Sequence, residues 1–151
     1  FRSEEKLSKI VENIVYNFQT QSIKKNISIE SDLDDISIKI DKEKITQLVI
    51  NLVSNAIRYT NEGGKINIIL RDDKNYAKLY VKDNGIGIPK EDIKYIFERF
   101  YRVDKSRSKN TGGMGVGLTI TKAIAKAHGG SINVNSQIGT GSEFIVTIPK
   151  K

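Results

Sequence analysis

Short segments of alternating apolar and polar residues occur along this chain in adjacent pairs, and helical segments lie between the pairs. Alternation with a period of two is typical of strands that are buried on one face. Strands that follow each other directly favour antiparallel pairing, whereas a parallel sheet needs a crossover between its strands. The pattern predicts an α+β protein, a two-layer sandwich in which helices cover one face of a mixed, mostly antiparallel sheet. The predicted pairs are 27–29 with 36–40, joined as a hairpin across Asp34-Asp35, then 65–71 with 76–82, and 131–136 with 142–148.

Apolar residues spaced by three and four predict three long helices. The first begins near Leu7 and ends at residues 24–26, and the second follows Asp41, a predicted N-cap, and reaches about residue 60. The third spans 118–128 and is ended by Gly129-Gly130. Two weaker features are a short helix from Pro89 to about Phe97, and a segment, 98–117, whose lack of a period is typical of a functional lid or of disorder.

The length of 151 residues predicts one domain, 1–151, that can bury a hydrophobic core. The chain has no Cys, which excludes disulfides, thiolate metal sites and Cys nucleophiles. Its single histidine, His128, excludes a multi-His metal site, and its place at a helix end predicts a structural role. No apolar run exceeds three residues, so we expect neither a membrane-spanning segment nor a signal peptide.

The net charge of +7 invites a polyanionic partner, such as nucleic acid or a membrane surface. The excess is unevenly distributed along the chain. Residues 1–50 carry 8 basic and 9 acidic side chains, residues 51–100 carry 9 and 7, and residues 101–151 carry 8 and 2. Most of the net positive charge therefore lies in the last third, close to a cluster of glycines.

Two asparagines lie one turn apart on the helix predicted over 41–60. Asn51, Asn55 and Arg58 share a narrow arc of that helix, with Tyr59 at its edge. Asn is unfavourable inside a helix, so the pair needs a reason. Amide oxygens on one face suit a hard cation such as Mg²⁺, which completes its octahedron with phosphates and water. Solvent exposure or bonding to neighbouring loops explains the two residues equally well.

Asp83 continues the buried face of the strand predicted over 76–82, where a charge is costly unless it is paired or hydrogen-bonded. The amine of a nucleobase is a suitable partner, and Gly85 and Gly87 would let the backbone approach a flat ligand closely. An Asp-Asn-Gly sequence is equally typical of an ordinary Asx turn.

The glycines at 112, 113, 115 and 117 run directly into the third long helix. Glycines at a helix N-terminus can expose backbone N–H groups to a phosphate. The pattern is neither a Walker A loop, because no Gly-Lys-Ser/Thr follows, nor a Rossmann fingerprint, because no strand precedes it. A flexible hinge is the alternative interpretation.

Residues 97–107 interleave aromatic and basic side chains. Such a segment fits a platform for single-stranded nucleic acid. It fits equally a lid whose aromatic residues dock on the domain while Arg102, Lys105 or Arg107 reach a phosphoryl group. The last motif, Gly139-Thr140-Gly141-Ser142, is a tight turn in which Ser142 either adds a hydroxyl to a pocket or belongs to an ordinary hairpin.

In their order along the chain, these motifs resemble the N, G1, F, G2 and G3 boxes of the catalytic domain of sensor histidine kinases. Five motifs in series over residues 41–147 make the resemblance specific. It implies the Bergerat (GHKL) ATP-binding fold and the binding of ATP with Mg²⁺. The matching residues are Asn51-x-x-x-Asn55-Ala-x-x-Tyr59, Asp83-x-Gly85-x-Gly87, the pair Phe97 and Phe100, Gly113-x-Gly115-x-Gly117-Leu118, and Gly139-x-Gly141-Ser142.

The resemblance implies a role for each matched residue. Asn55 is expected to bind Mg²⁺ with the help of Asn51, and Asp83 to accept the adenine amino group. Asn51, Arg58 (where the family often has Lys) and Arg102 are the expected catalytic residues, with Arg58 and Tyr59 beside the phosphates. The other expected nucleotide-binding residues are Gly85, Gly87, Ile88, Gly113, Gly115, Gly117, Leu118 and Ser142, and the expected lid residues are Phe97, Phe100, Tyr101, Arg102, Lys105 and Arg107.

The same fold serves ATP hydrolysis in gyrase, mismatch-repair and heat-shock chaperone ATPases, which carry a water-activating Glu one turn before the metal-binding Asn. Here that position is Asn51, and an amide has no basicity with which to take a proton. The resemblance therefore favours transfer to a separate nucleophile over a hydrolase or an anti-sigma-type Ser kinase. A nucleic-acid-binding module built on residues 97–107 is the remaining alternative.

Complete kinases of this family have an upstream helical hairpin that bears the acceptor His, and Phe1 is expected to follow that hairpin. We expect a fragment of a larger bacterial kinase, which lies in the cytoplasm while its parent protein is anchored in a membrane. The expected partners are its own dimerisation and phospho-acceptor domain and a response regulator, and not nucleic acid. Residues 98–109 carry a net charge of +3 and would lie over the triphosphate, so part of the +7 is better explained by ATP.

Overall fold

The computed structural model describes residues 1–98 and 114–150, without the side chains of residues 114–116. The helices are α1 (Leu7–Lys24), α2 (Lys42–Tyr59), α3 (Lys90–Ile93) and α4 (Met114–Ala127). The strands are β1 (Ser3–Lys6), β2 (Ser28–Leu33), β3 (Ser37–Ile40), β4 (Lys65–Asp73), β5 (Tyr76–Asp83), β6 (Ser131–Gln137) and β7 (Gly141–Pro149). Across the described ranges, no helix is long and apolar enough to cross a membrane.

Five strands form the main sheet in the order β2-β4-β5-β7-β6. The β2 and β4 strands are parallel and all the other neighbours are antiparallel, which confirms the predicted mixed, mostly antiparallel sheet. Its inner face is a continuous apolar surface, in which residues such as Ile68, Leu79 and Val146 are buried. The helices α1, α2 and α4 pack together and cover this face, because each has an apolar stripe that must also leave water.

The predicted hairpin across Asp34-Asp35 is wrong. Strand β2 instead lies parallel to β4, with Ile29 opposite Ile66, whereas β3 pairs antiparallel with β1 in a separate two-stranded sheet. Alternation identifies which residues of a strand face the core but not which strand lies beside it. The partner of β3, Ser3–Lys6, has no apolar residue, so its sequence gave no strand signal.

Two helix boundaries also differ from the prediction. Helix α3 ends at Ile93 rather than near Phe97, and residues 94–97 form turns. Helix α4 begins at Met114 and includes Gly115 and Gly117, although each interior glycine disfavours a helix by about 1 kcal/mol relative to Ala. Packing of α4 against α2 outweighs that preference, and it brings Gly117 beside Asn51 of α2.

Candidate functional site

A cavity of about 190 Å³ lies between α2 and α4. Five of the residues expected on α2 or α4 to bind the nucleotide line it together: Asn51, Asn55, Arg58, Gly117 and Leu118. Ile50 and Ser54 complete its described lining. The described lining therefore offers two amides, one hydroxyl and one guanidinium group, but no carboxylate and no imidazole.

Asn51 links the two helices that form this cavity. Its side-chain amide donates to the carbonyl oxygen of Gly117 at 3.4 Å, and the Thr121 hydroxyl donates to the same oxygen at 2.7 Å. Asn51 and Asn55 are both half-buried, so the expected polar face of α2 points into the cavity rather than into open solvent. Thr121, fully buried one turn after Gly117, is a residue that the motif pattern did not identify.

The C-terminus of α2 is fixed from two sides. The Lys25 ammonium group donates to the carbonyl oxygens of Ile57 (2.7 Å) and Arg58 (3.1 Å), where a positive charge also complements the helix dipole. The carbonyl oxygen of Tyr59 accepts from the backbone N–H of Ile86 at 3.1 Å. This last bond joins the helix that carries Asn51 and Asn55 to the loop that follows Asp83.

Asp83 ends β5 on the inner, buried face of the sheet, as its alternation predicts, and is only 7% exposed. Its Oδ1 atom accepts from the backbone N–H groups of Gly85 at 2.9 Å and of Ser142 at 3.3 Å. The Gly85 bond is the Asx bond that the alternative interpretation proposed. The two interpretations are compatible, because a carboxylate that uses Oδ1 for the turn still has Oδ2 for a ligand.

Burial raises the pKa of the Asp83 carboxyl group, and the bonds from Gly85 and Ser142 oppose that rise. Burial is the larger effect. A buried carboxylate with a perturbed pKa at the end of a strand is the kind of group that marks a ligand site, and a donor from a ligand would stabilise its ionised form.

The loop after Asp83 touches its neighbours so closely that its glycines cannot carry a side chain. A Cβ atom on Gly85 would lie 2.2 Å from the carbonyl oxygen of Tyr59, and one on Gly87 would lie 2.2 Å from that of Gln137. Gly87 also has a φ of +77°, a region that favours glycine. These glycines let the loop pack onto α2 and onto the β6–β7 hairpin, and Ile88 beyond them is buried.

Ser142 contributes to the site through its backbone N–H, which donates to Asp83. Its hydroxyl lies 2.8 Å from the hydroxyl of Ser136, a residue of β6 that the motifs did not identify. The signal was present in the sequence, since Ser136 continues the inner-face alternation of Ile132 and Val134, as Asp83 continues that of β5.

Phe97 docks on the domain. Its ring packs edge-on against Phe144 with centroids 6.3 Å apart, and its carbonyl oxygen accepts from the Thr119 hydroxyl at 3.0 Å. The other expected lid residues, Phe100, Tyr101, Arg102, Lys105 and Arg107, and the expected phosphate-binding Gly113, lie outside the described residues. Gly115 lies in the first turn of α4, and the atoms around it are not described.

His128 has the structural role that was predicted for it. Its ring is buried, Nδ1 donates to the carbonyl oxygen of Ile124 at 2.9 Å, and Nε2 accepts from the backbone N–H of Asp41 at 3.1 Å. Because a carbonyl only accepts and an N–H only donates, these partners define the tautomer. The imidazole thus joins the end of α4 to the N-cap of α2.

Residues 40–151 match the family described as histidine kinase-, DNA gyrase B-, and HSP90-like ATPase. The sensor histidine kinase WalK of Bacillus subtilis is 44% identical over 119 residues, which are 78% of this chain and 20% of WalK. The sensor histidine kinase RppB of Synechocystis sp. is 39% identical over 145 residues, 95% of this chain and 32% of RppB. The chain thus spans about a fifth to a third of the length of these relatives.

Solved structures agree over nearly the whole chain. The catalytic domain of histidine kinase ThkA superposes with a TM-score of 0.85 at 33% identity, covering 99% of this chain and 98% of that one. ThkA in complex with the response regulator protein TrrA superposes with a TM-score of 0.83 at 31% identity, covering 99% of this chain and 42% of that one. The chain therefore belongs to the histidine kinase-, DNA gyrase B- and HSP90-like ATP-binding family, as a catalytic domain of the histidine kinase type.

Proposed function

We propose that this chain, over its full length 1–151, is the catalytic domain of a two-component sensor kinase that binds Mg²⁺ with ATP and transfers the γ-phosphoryl group to a His of a separate domain. One observation favours phosphoryl transfer to a His over ATP hydrolysis. The described lining of the α2–α4 cavity has no carboxylate or imidazole that could activate water, and Asn51 holds the position from which a base would act. An imidazole from outside is itself a good nucleophile and needs no such base.

The residues of the cavity fit a magnesium ion that is shared with a nucleotide. In the described ranges, no group of three or more His, Asp or Glu residues could hold a metal ion. The available ligands are amide and hydroxyl oxygens, with Asn55 as the proposed direct ligand and Asn51 as its helper. Mg²⁺ commonly takes few protein ligands together with phosphate oxygens. When bound there, it would supply positive charge that offsets the negative charge of the nucleotide phosphates.

The chain's own residues have separate tasks in this proposal. Asp83 accepts the adenine amino group, and the loop 85–88 supports the flat base. Arg58 approaches the phosphates from the exposed end of α2, and N–H groups at the start of α4 bind them. Tyr59, Leu118 and Ser142 are also proposed to bind the nucleotide. Arg102 is a proposed catalytic residue, and residues 97–107 are the proposed lid. Catalysis then consists of positioning the γ-phosphate in line with the incoming imidazole and stabilising charge.

The experiment that tests transfer supplies the acceptor His on a separate molecule. The chain is mixed with radiolabelled ATP, Mg²⁺ and a separately produced helical hairpin that bears an acceptor His, and phosphohistidine is measured on the hairpin. Label on the hairpin, lost when its His is replaced by Gln, supports the proposal. If ATP is hydrolysed without a hairpin while the hairpin stays unlabelled, the chain is a hydrolase.

We further propose a response regulator as the final phosphoryl acceptor, because the related ThkA has been solved in complex with the response regulator TrrA. The proposed partners also include the dimerisation and phospho-acceptor domain of the same parent protein. The relatives are sensor kinases, so we place this domain on the cytoplasmic side of a membrane-anchored parent. A fusion of the parent protein to a reporter enzyme at each terminus would test that placement.

A further inference from the structure

The hydroxyl of Ser136 joins three segments of the chain at one end of the sheet. It accepts from the backbone N–H of Ile88 at 2.7 Å, it donates to the carbonyl oxygen of Gly141 at 3.0 Å, and it lies 2.8 Å from the hydroxyl of Ser142. These partners come from the loop after β5 and from the start of β7, while Ser136 itself belongs to β6.

The direction of every bond in this group follows from its partners. The Ile88 N–H can only donate and the Gly141 carbonyl can only accept, so the single hydroxyl hydrogen of Ser136 points to Gly141. The Ser142 hydroxyl must then donate to Ser136. Ser136 is therefore the common centre of the group, and Ser142 has already used its only hydroxyl hydrogen.

Sheet register places Ser136 in one row with Asp83. Ser136 lies opposite Ser142 and Ser142 lies opposite Asp83, so three polar side chains end an otherwise apolar inner face. The same Ser142 donates its backbone N–H to Oδ1 of Asp83, as Gly85 does. By bonding to Ser142 and to Ile88, Ser136 thus fixes the start of β7 and the loop 85–88, the two segments whose N–H groups hold the Asp83 carboxylate.

We propose that Ser136 is a positioning residue for adenine recognition. It holds Ser142 and Ile88 so that Oδ1 of Asp83 keeps both backbone bonds and Oδ2 stays directed at the exocyclic amine of the base. Ser136 does not touch the nucleotide, and it acts only through Asp83 and the loop 85–88. This inference rests on the proposed contact between Asp83 and adenine.

The test compares ATP with inosine triphosphate, in which a carbonyl oxygen replaces the amine that Asp83 would recognise. Dissociation constants for both nucleotides are measured by calorimetry for the wild type, Ser136→Ala and Ser136→Thr, with Asn135→Ala on the exposed side of β6 as the control. We expect Ser136→Ala to weaken ATP by roughly tenfold and inosine triphosphate by much less, so that the preference for ATP falls. Ser136→Thr keeps the hydroxyl and should keep the preference, as should Asn135→Ala.

The alternative outcomes are distinct. If Ser136→Ala weakened the binding of both nucleotides equally, the effect would be a general structural one and the positioning role would be overturned. A preference for ATP that does not change in this variant would overturn it too. A wild type that binds both nucleotides equally would overturn the contact between Asp83 and adenine, and this inference with it. Amide hydrogen exchange at Ile88 reports the hydroxyl bond without nucleotide and should accelerate in Ser136→Ala. If that variant does not fold, Ser136→Cys, a near-isosteric side chain with a weak S–H, replaces it in every arm.

Discussion

Asp83 is a carboxylate whose surroundings oppose its ionised form. Burial raises its pKa, so its ionised form lowers the stability of the ligand-free protein. Asp83→Asn removes the charge and keeps an oxygen for Gly85 and Ser142. We expect this variant to be more stable than the wild type to urea, yet to lose ATP binding, because its NH₂ group would face the adenine amine. A variant that binds ATP normally would remove Asp83 from the site.

The pH dependence of that stability gain has a definite sign. An acid whose pKa is higher in the folded than in the unfolded protein is destabilising when ionised in both states, and has no such effect when protonated in both. The stability advantage of Asp83→Asn should be greatest above the raised pKa of Asp83, and it should disappear as the pH falls through that pKa to below the ordinary value. Urea unfolding of both proteins at several pH values measures it. A stability difference between the two proteins that does not change with pH would contradict the burial of the Asp83 charge as its cause.

Thr60 is a second buried polar residue near the end of α2. It is 1% exposed, and within the described part of the chain its hydroxyl has no hydrogen-bond partner. An unpaired buried hydroxyl is unfavourable, and Val has nearly the same shape. We expect Thr60→Val to raise the free energy of unfolding by about 1 kcal/mol, measured by urea denaturation. A loss of stability would mean that a bound water satisfies the hydroxyl.

At the residue scale, the sequence predicts the site where a residue that is costly to bury continues an apolar face. Asp83 continues a run of inward-facing apolar residues, so its burial could be predicted from alternation alone. Ser136 continues the inner face of β6 in the same way, but serine is so common in strands and turns that its position does not by itself indicate a function. Hydrogen-bond partners such as Ile88 and Gly141 lie up to 48 residues away and become visible only when the strands are paired.

Between elements, His128 is the clearest single contact to test. Its ring bonds to the Ile124 carbonyl oxygen and to the N–H of the α2 N-cap residue, Asp41. Loss of the ring removes the bond to the Asp41 N–H, whereas the Ile124 carbonyl oxygen keeps the backbone N–H of residue 128 at 3.2 Å. We expect His128→Ala to lower the free energy of unfolding by about 2 kcal/mol, with Lys126→Gln on the exposed side of the same turn as a near-neutral control. Equal stabilities of the two variants in urea would show that the ring bonds contribute nothing.

At the element scale, the sequence predicted the periods and two of the three strand pairs, β4 with β5 and β6 with β7, but not the partners of β2 and β3. The sequence predicts helices α1 and α2 and strands β4 to β7 because each places its apolar residues on one face. The pairing of β2 with β4 instead of β3 depends on where α1 directs the chain, which local alternation does not contain. The early start of α4 depends on packing against α2, which overrides the low helix propensity of Gly115 and Gly117.

Across the whole molecule, the proposed nucleotide site draws on distant parts of one fold. Asn55 lies on α2, Asp83 at the end of β5 and Gly117 in α4, and hydrogen bonds already link these elements through Asn51 with Gly117 and Tyr59 with Ile86. A ligand that contacts all three elements binds only the folded protein. Nucleotide binding should therefore stabilise the domain as a whole against unfolding rather than one element of it.

Thermal unfolding measures how much the nucleotide stabilises the domain. ATP with Mg²⁺ at 100 times its dissociation constant should add about 2.7 kcal/mol to the free energy of unfolding, which for a chain of this size raises Tm by roughly 5–10 °C.

In Asn55→Ala we expect the part of this shift that requires Mg²⁺ to vanish, because the proposed metal ligand is gone. Asn13→Ala, an exposed asparagine on α1, is the matched control and should keep the full shift. If Asn55→Ala kept the part of the shift that EDTA removes in the wild type, the magnesium ion would have to be held by other residues. If duplex DNA gave the larger shift, and salt abolished it, the +7 charge would indicate a nucleic-acid partner after all.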